Sequence, residues 1–231
     1  MAAPLDREAA AVVKQPDNMT NNLIIFVKYP EPGHVKTRIG KVIGIEKAAD
    51  LYCSLANYIV SSLVQSKDYN ISVFFTPKDR IKNIKSWFQC GDIDYFPQTG
   101  NSLGERISNA FEHSFSNGFN NTIIIGSDCI EINQEIVANA FKYLNDDSDC
   151  VVGPAHDGGY YLIGLKSKNY PFIFEDLMWS SDSVFDETMK KINYLNLNSI
   201  ILEELNDIDN IDDLNNNVIK LVRNYYPNFE V

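Results

Sequence analysis

The stretch Leu23–Gly40, LIIFVKYPEPGHVKTRIG, sets the fold and raises the functional question together. Leu23–Lys28 is a continuous apolar run of strand length, the pattern of a strand buried on both faces. It breaks off into Pro30, Pro32, Gly33 and a set of cations. Lys36-Thr37 resembles the end of a phosphate-binding P-loop, but that motif needs G-x-x-x-x-G-K-[ST]. Here Gly33 stands three residues before Lys36, and no glycine precedes the lysine directly, so the stretch is not a P-loop. It fits a looser rule, that ligands of open α/β sheets bind beyond the carboxyl ends of the strands. Lys28 ends the strand, and Lys36, Arg38 and Lys41 come next on what reads as a loop, with Glu31 the sole anion among them. The prolines stiffen the backbone and Gly33 permits a turn that brings N–H groups near a ligand. From charge alone, a ligand loop and a solvated basic loop fit equally.

That local excess of cations opposes the rest of the chain. The 231 residues carry 20 Lys and Arg against 31 Asp and Glu, a formal charge of −11. Broad nucleic-acid or acidic-membrane binding needs an extended basic surface, so neither is expected as a partner. A hydrophobic content of 45% supports a substantial core, and no apolar run approaches the roughly 20 residues that span a bilayer. No stretch has the charged-then-apolar pattern of a signal peptide. Cys53, Cys90, Cys129 and Cys150 form no C-x-x-C pair, and with three histidines a Cys/His zinc site has little support. Thiols of a reducing cytoplasm are the better reading, and the protein is expected there. Residues 1–22 are Ala-rich, unlike the rest of the chain, and a second methionine, Met19, precedes the first strand. They read as a flexible leader, a candidate for an expression-derived segment, with one domain over 23–231.

Beyond the first strand, helix-like and strand-like segments alternate. Helical spacing covers Ile45–Val64, Arg80–Phe88, Leu103–Phe115, Gln134–Leu144, Asp182–Tyr194 and Asp212–Tyr225. Strands are expected at Ile71–Thr76, Ile93–Pro97, Thr122–Gly126, Cys150–Gly153, Tyr160–Leu165 and Ser199–Leu202. This alternation predicts an α/β protein, a three-layer α/β/α sandwich with a mostly parallel, mixed central sheet.

Three further segments carry chemistry. In TIIIGSDCIEI, Asp128 comes two residues after the strand ends at Gly126, which puts its carboxylate on the rim that holds the cations. A carboxylate beside an anionic ligand is repulsive unless a hard cation lies between, and Mg²⁺ binds through one or two carboxylates plus substrate phosphates. A helix-capping role for Asp128 fits as well. In VVGPAHDGGYYLIGL, Gly158-Gly159 suits a tight hairpin, while His156 and Asp157 could meet a sugar or an acceptor hydroxyl. In ELNDIDNIDDL, Asp207 and Asp209 alternate at strand spacing and so face one side, where one could complete a metal site with Asp128. An acidic helix start, favoured by the helix dipole, reads equally well there.

These segments, in this order, resemble the bacterial transferases of glycosyltransferase-A (nucleotide-diphospho-sugar transferase) fold known as radical-SAM/selenodomain-associated transferase 1. The family's K-x-P-x-P-G-x-V-K-T-R matches Lys28 to Arg38. Its G-x-x-L-G-E-R matches Gly100, Leu103, Gly104, Glu105 and Arg106, its I-G-S-D-C-P matches Ile125–Cys129, and Ile130 replaces the proline. Its G-P-A-x-D-G-G-Y-Y-L-I-G-L matches Gly153–Leu165, and Trp179-Ser180 and the ending Asp207–Leu214 also fit. The resemblance implies a nucleotide held over the end of the first strand by Lys28, Gly33, Lys36, Thr37, Arg38 and Arg106. It implies a metal pair, Asp128 and Asp209, holding Mg²⁺ or Mn²⁺. Asp128, Asp157 and Arg38 are the expected catalytic groups, and Asp157, Gly158, Gly159, Tyr160 and Trp179 the expected acceptor contacts.

Glycosyl transfer from a nucleotide sugar to a small acceptor, with Asp157 as the base of an inverting reaction, is the reading this resemblance favours. The KTR loop is similar to that of guanylyltransferases that build a deazaflavin cofactor, and with the single Asp of GSDC it argues for nucleotidyl transfer with release of pyrophosphate. Both reactions build charge on phosphate oxygens, which is why Asp, Lys and Arg are needed together. A non-catalytic nucleotide-binding protein on the same fold is the third reading.

Overall fold

Seven strands form one sheet in the order β3-β2-β1-β4-β6-β5-β7. The structure, a computed structural model, describes residues 20–166, 171–179 and 181–231. Most of the expected leader and Ser180 of the Trp-Ser pair lie outside the described residues. The strands are β1 (Asn21–Lys28), β2 (Asn70–Thr76), β3 (Asp94–Pro97), β4 (Asn121–Ile125), β5 (Cys150–Pro154), β6 (Tyr160–Lys166) and β7 (Ser199–Ile201). β1 runs parallel to β2 and β4, β2 to β3 and β5 to β7, whereas β6 runs antiparallel to both β4 and β5. The sheet is therefore mostly parallel with one reversed strand.

Around it lie α1 (Thr37–Ile43), α2 (Ile45–Leu63), α3 (Ile81–Trp87), α4 (Leu103–Ser116), α5 (Gln134–Asn145), α6 (Val184–Tyr194) and α7 (Asn216–Arg223). Alternate residues of β1 serve opposite faces. Leu23, Ile25 and Val27 pack with Ile59 and Leu63 of α2, Ile84 of α3 and Phe141 of α5. Ile24 joins Ile107 and Phe111 of α4 and Ile192 of α6 on the other face. These are the two outer layers of the three-layer sandwich, and the continuous apolar run of β1 is buried on both sides as its composition requires. A further cluster, with Ile39, Leu55 and Val218, fixes α1 and α7 to α2.

The elements depart from the sequence expectation in a few places. β1 starts at Asn21, because Asn21 and Asn22 pair in register with β4. Thr37–Ile43, expected as loop, is helical; its seven residues are too short a window for the spacing of Ile39, Val42 and Ile43 to decide, and Ile39 and Ile43 reach the α7 cluster while Val42 is exposed. The segment at Arg80–Phe88 is a single 3₁₀ turn, Lys78–Arg80, leading into α3, and that at Asp212–Tyr225 is another such turn, Ile211–Asp213, leading into α7. Asn210 and Asp213 cap the second turn reciprocally, which separates it from α7. No helix among the described residues is long and apolar enough to cross a membrane.

Candidate functional site

The carboxyl ends of β1 and β4 lie side by side, and the chemistry gathers where the chain leaves them. Tyr52 of α2 pins the two exits: its hydroxyl accepts the Lys28 N–H at 2.8 Å and lies 2.8 Å from Ser127 Oγ. Burial pushes its phenol up to about 12, so it stays neutral. From β1 the chain turns through Gly33, at φ 80°, and reaches Lys36 in the left-handed conformation, φ 43° and ψ 46°. A non-glycine residue in that conformation is strained and is held there by its surroundings.

That backbone aims the Lys36 side chain inward. Its Nζ lies 2.7 Å from Asp128 Oδ2 and 2.6 Å from Asp209 Oδ1, and the side chain is only 5% exposed. Burial opposes the charge, but Asp128 and Asp209 outweigh it, so the ammonium is held above its ordinary value. Asp128 comes just after β4, as its position beyond the apolar run requires. Asp209 belongs to a segment stitched in place by its neighbours: Ile208 N–H donates to the Asp128 carbonyl at 3.1 Å, and Leu205 bridges to Ala155. Asp213 Oδ2 accepts the N–H groups of Asp209 and Asn210 at 2.8 and 2.7 Å. Burial works against the Asp213 charge, but these N–H groups hold its carboxyl below the usual range.

Asp207 carries more weight than its spacing in the chain suggests. It shares a cavity with Asp209, as the extended spacing predicts. Its Oδ1 is buried without a hydrogen-bond partner. Burial first, then the charge of Asp128 and more weakly Asp157 and Asp209, push its carboxyl up to about 8, with Lys36 pulling the other way. The buried ammonium thus sits among Asp128, Asp207, Asp209 and Asp213. Arg38 adds little, its Nη1 being 3.9 Å from Asp209 Oδ2 and its side chain 67% exposed.

Two cavities meet here, sharing Phe26, Arg38, Leu103, Gly126 and Asp209. The first, about 450 Å³, is lined by Lys28, Lys36, Thr37, Arg38 and Arg106, with Asp128 at its edge. Lys28 Nζ donates to the His34 carbonyl, and Arg106 Nε to that of Gly100 at 3.1 Å. The second, about 530 Å³, is lined by apolar groups from β4, β6, α4 and α6 and by Trp179 and Tyr160, which meet edge to face at 6.3 Å. Asp157 and Gly159 lie on its rim; Asp157 Oδ1 accepts the Gly159 N–H at 2.9 Å. Gly158, at φ 85°, serves this rim indirectly: a Cβ there would stand 2.1 Å from the Asp182 carbonyl oxygen. Of the residues expected to bind ligand, Gly33 and Gly158 line neither cavity; both shape the backbone beside one.

The sequence matches, over residues 59–181, the model of a family described as "Uncharacterized protein conserved in bacteria (DUF2064)". The chain belongs to the DUF2064 family. The matched part of this DUF2064 protein holds Asp128, Asp157 and Trp179, while Lys36 and Asp209 lie outside it. A crystal structure from Desulfovibrio desulfuricans G20, provisionally named a nucleotide-diphospho-sugar transferase, is 30% identical, with a TM-score of 0.80 over 90% of this chain and 99% of that one. The inositol-1-phosphate CTP transferase of T. maritima superposes with a TM-score of 0.56 at 12% identity, over 92% of this chain and 98% of its own. The 4-diphosphocytidyl-2C-methyl-D-erythritol synthase of Anaerococcus prevotii DSM 20548 gives 0.54 at 11%, over 89% and 96%. At such identities the last two show a shared fold. No curated protein matches the sequence. The DUF2064 chain thus has the fold of nucleotide-using transferases, with cations and carboxylates at the strand ends.

Proposed function

We propose that the protein transfers a glycosyl group from a nucleotide sugar to a small acceptor. The observation that carries this reading is the junction of two unlike cavities at Arg38, Gly126 and Asp209, one cationic, with Lys36 and Asp128 in its lining, and one lined by apolar side chains and aspartates. Lys28, Arg38 and Arg106 suit the diphosphate of a donor, and the second cavity suits an acceptor. The motif resemblance to radical-SAM/selenodomain-associated transferases and the name given to the Desulfovibrio relative point the same way.

A divalent cation fits the donor set. Asp128 and Asp209 converge on one point, held by the Lys36 ammonium at 2.7 and 2.6 Å, and the buried Oδ1 of Asp207 has no partner, which supports a divalent ion as the alternative occupant of that point. Among the described residues no group of three or more His, Cys, Asp or Glu side chains has the arrangement of a metal cage. Two carboxylates completed by substrate phosphates match Mg²⁺ or Mn²⁺, which needs no such cage. Asp128 and Asp209 would hold the ion, and its chemistry there would be to neutralise charge growing on the leaving diphosphate. Arg106, anchored on the Gly100 carbonyl, and the more exposed Arg38 would stabilise the same oxygens. Asp157 accepts the proton of the acceptor hydroxyl; its Oδ1 is held by Gly159, and Oδ2 remains for the base.

Nucleotidyl transfer is the second reading, favoured by the number of cations in the first cavity, which would also suit a triphosphate. The test incubates the protein with nucleotide sugars and with nucleoside triphosphates, plus Mg²⁺ or Mn²⁺. Release of nucleoside diphosphate from the sugar donor is expected. Pyrophosphate release from a triphosphate would replace the first reading by the second. Metal-dependent binding without turnover would leave the non-catalytic reading, and absence of both turnover and nucleotide binding would overturn all three.

A further inference from the structure

The second cavity has features that the donor chemistry does not require. Its floor is the apolar ends of β4 and β6, with Ile124 and Ile163, and its sides are Ile107 of α4 and Val184 of α6. Trp179 lines it from beside α4: a Cβ on Gly104 would come within 2.6 Å of its Nε1, so the indole lies directly against the start of that helix. A polyhydroxylated body against these apolar side chains would leave the hydroxyls on that side unpaired, whereas an aryl or alkyl body packs on them.

Asp157, Asp182, Asp207 and Asp209 are in the lining of this cavity, and Arg38 is the one cation among the described residues lining it. The packing of Gly158 against the Asp182 backbone, with the Phe185 N–H donating to the Gly158 carbonyl at 2.9 Å, is what brings Asp157 and Asp182 to a common edge. The cationic cavity next door has the opposite balance, with Lys28, Lys36, Arg38 and Arg106 against Asp128 and Asp209. Anionic groups are therefore directed to the first cavity and away from the second. Even with a divalent ion on Asp128 and Asp209, and Asp207 held protonated by its burial, Asp157 and Asp182 remain against Arg38.

We infer that the acceptor is an amphipathic small molecule, with an aryl or alkyl body seated against Trp179 and a neutral or cationic head at the aspartate rim, and that acceptors bearing a phosphate or carboxylate at that end are excluded. An ammonium beside Asp157 and Asp182 gains charge attraction, whereas a carboxylate there meets uncompensated like charge. The inference rests on the proposed function only in calling the occupant an acceptor.

The test uses three probes of one body, 2-phenylethylamine, 2-phenylethanol and phenylacetate, bound to the full chain and monitored by saturation-transfer NMR and tryptophan fluorescence. The amine and the alcohol should bind, and phenylacetate should bind on the order of tenfold more weakly than the amine. Trp179→Ala should weaken the amine and the alcohol. Trp179→Phe, which keeps an aromatic wall, should restore much of that binding and so separates contact from misfolding. Asp182→Asn, an exposed change, should narrow the gap between amine and acid. Trp179-dependent binding of phenylacetate as tight as that of the amine overturns the inference, and so does binding of all three that ignores Trp179. A parallel titration with inorganic pyrophosphate and Mg²⁺ reads the cationic cavity alone. Loss of pyrophosphate binding with the probe order intact defeats the donor reading and leaves the cavity's selectivity, and the reverse result defeats only the selectivity.

Discussion

Replacing Lys36 by alanine and by glycine separates two effects that meet at this residue. Both substitutions remove the ammonium from between Asp128 and Asp209. Breaking a buried ion pair by removing one partner costs about 3–5 kcal/mol. The Asp128 and Asp209 side chains are 29% and 34% exposed, so water compensates in part, and about 2–4 kcal/mol is expected for Lys36→Ala. The two variants differ only in the Cβ. At φ 43° and ψ 46° that atom costs about 1–2 kcal/mol. Glycine's greater freedom in the unfolded chain offsets part of this, so Lys36→Gly should be about 0.5–1 kcal/mol more stable than Lys36→Ala. Urea unfolding in the presence of a chelator gives both numbers, provided the slope with urea is unchanged. Added Mg²⁺ should then stabilise Lys36→Ala more than the parent, because the ion no longer competes with an ammonium. A Lys36→Ala protein within about 0.5 kcal/mol of the parent, or one as stable as Lys36→Gly, would refute this account of the residue.

Asp207 makes the metal-free protein pH-sensitive in an unusual direction. Its folded-state pKa of about 8 lies above the ordinary 3.8, so the native state binds the proton more tightly and stability is lost as pH rises from about 4 through 8. At 1.36 kcal/mol per pH unit the effect is on the order of 5 kcal/mol at most, and Asp207→Asn should flatten the profile of melting midpoint against pH between those limits. An unchanged profile would show that another group carries it. Gly158→Ala meets both a positive φ and a contact of 2.1 Å with the Asp182 carbonyl oxygen, so it should cost about 2 kcal/mol or more and open the acidic rim. Urea melts measure the first effect; the second appears as lost amine binding with pyrophosphate binding kept.

Much of the architecture was legible in the chain because local patterns are enforced locally. Apolar runs such as LIIFVK and TIIIG must be buried on both faces, and the helical periods between them leave few alternatives to a sandwich. α1 escaped notice since its few apolar residues contact α7, far away in sequence. Asp128 could be placed on the rim from its distance to the end of β4 alone. Tyr52 could not be found, as an aromatic residue on the buried face of a helix looks like core until its hydroxyl is seen between Lys28 and Ser127.

The sequence by itself determined the order of the strands and of the helices other than α1, the exclusion of a P-loop, and the presence of cations and carboxylates at strand ends. Tertiary structure alone decided how those charges pair. Lys36 and Asp128 are 92 positions apart and Lys36 and Asp209 173, so no spacing rule could show one ammonium between two carboxylates. The same holds for the division of the site into a cationic and an acidic, apolar half. Charge pairing depends on distances of a few ångströms and on burial, and both are set by which distant segments the sheet brings together.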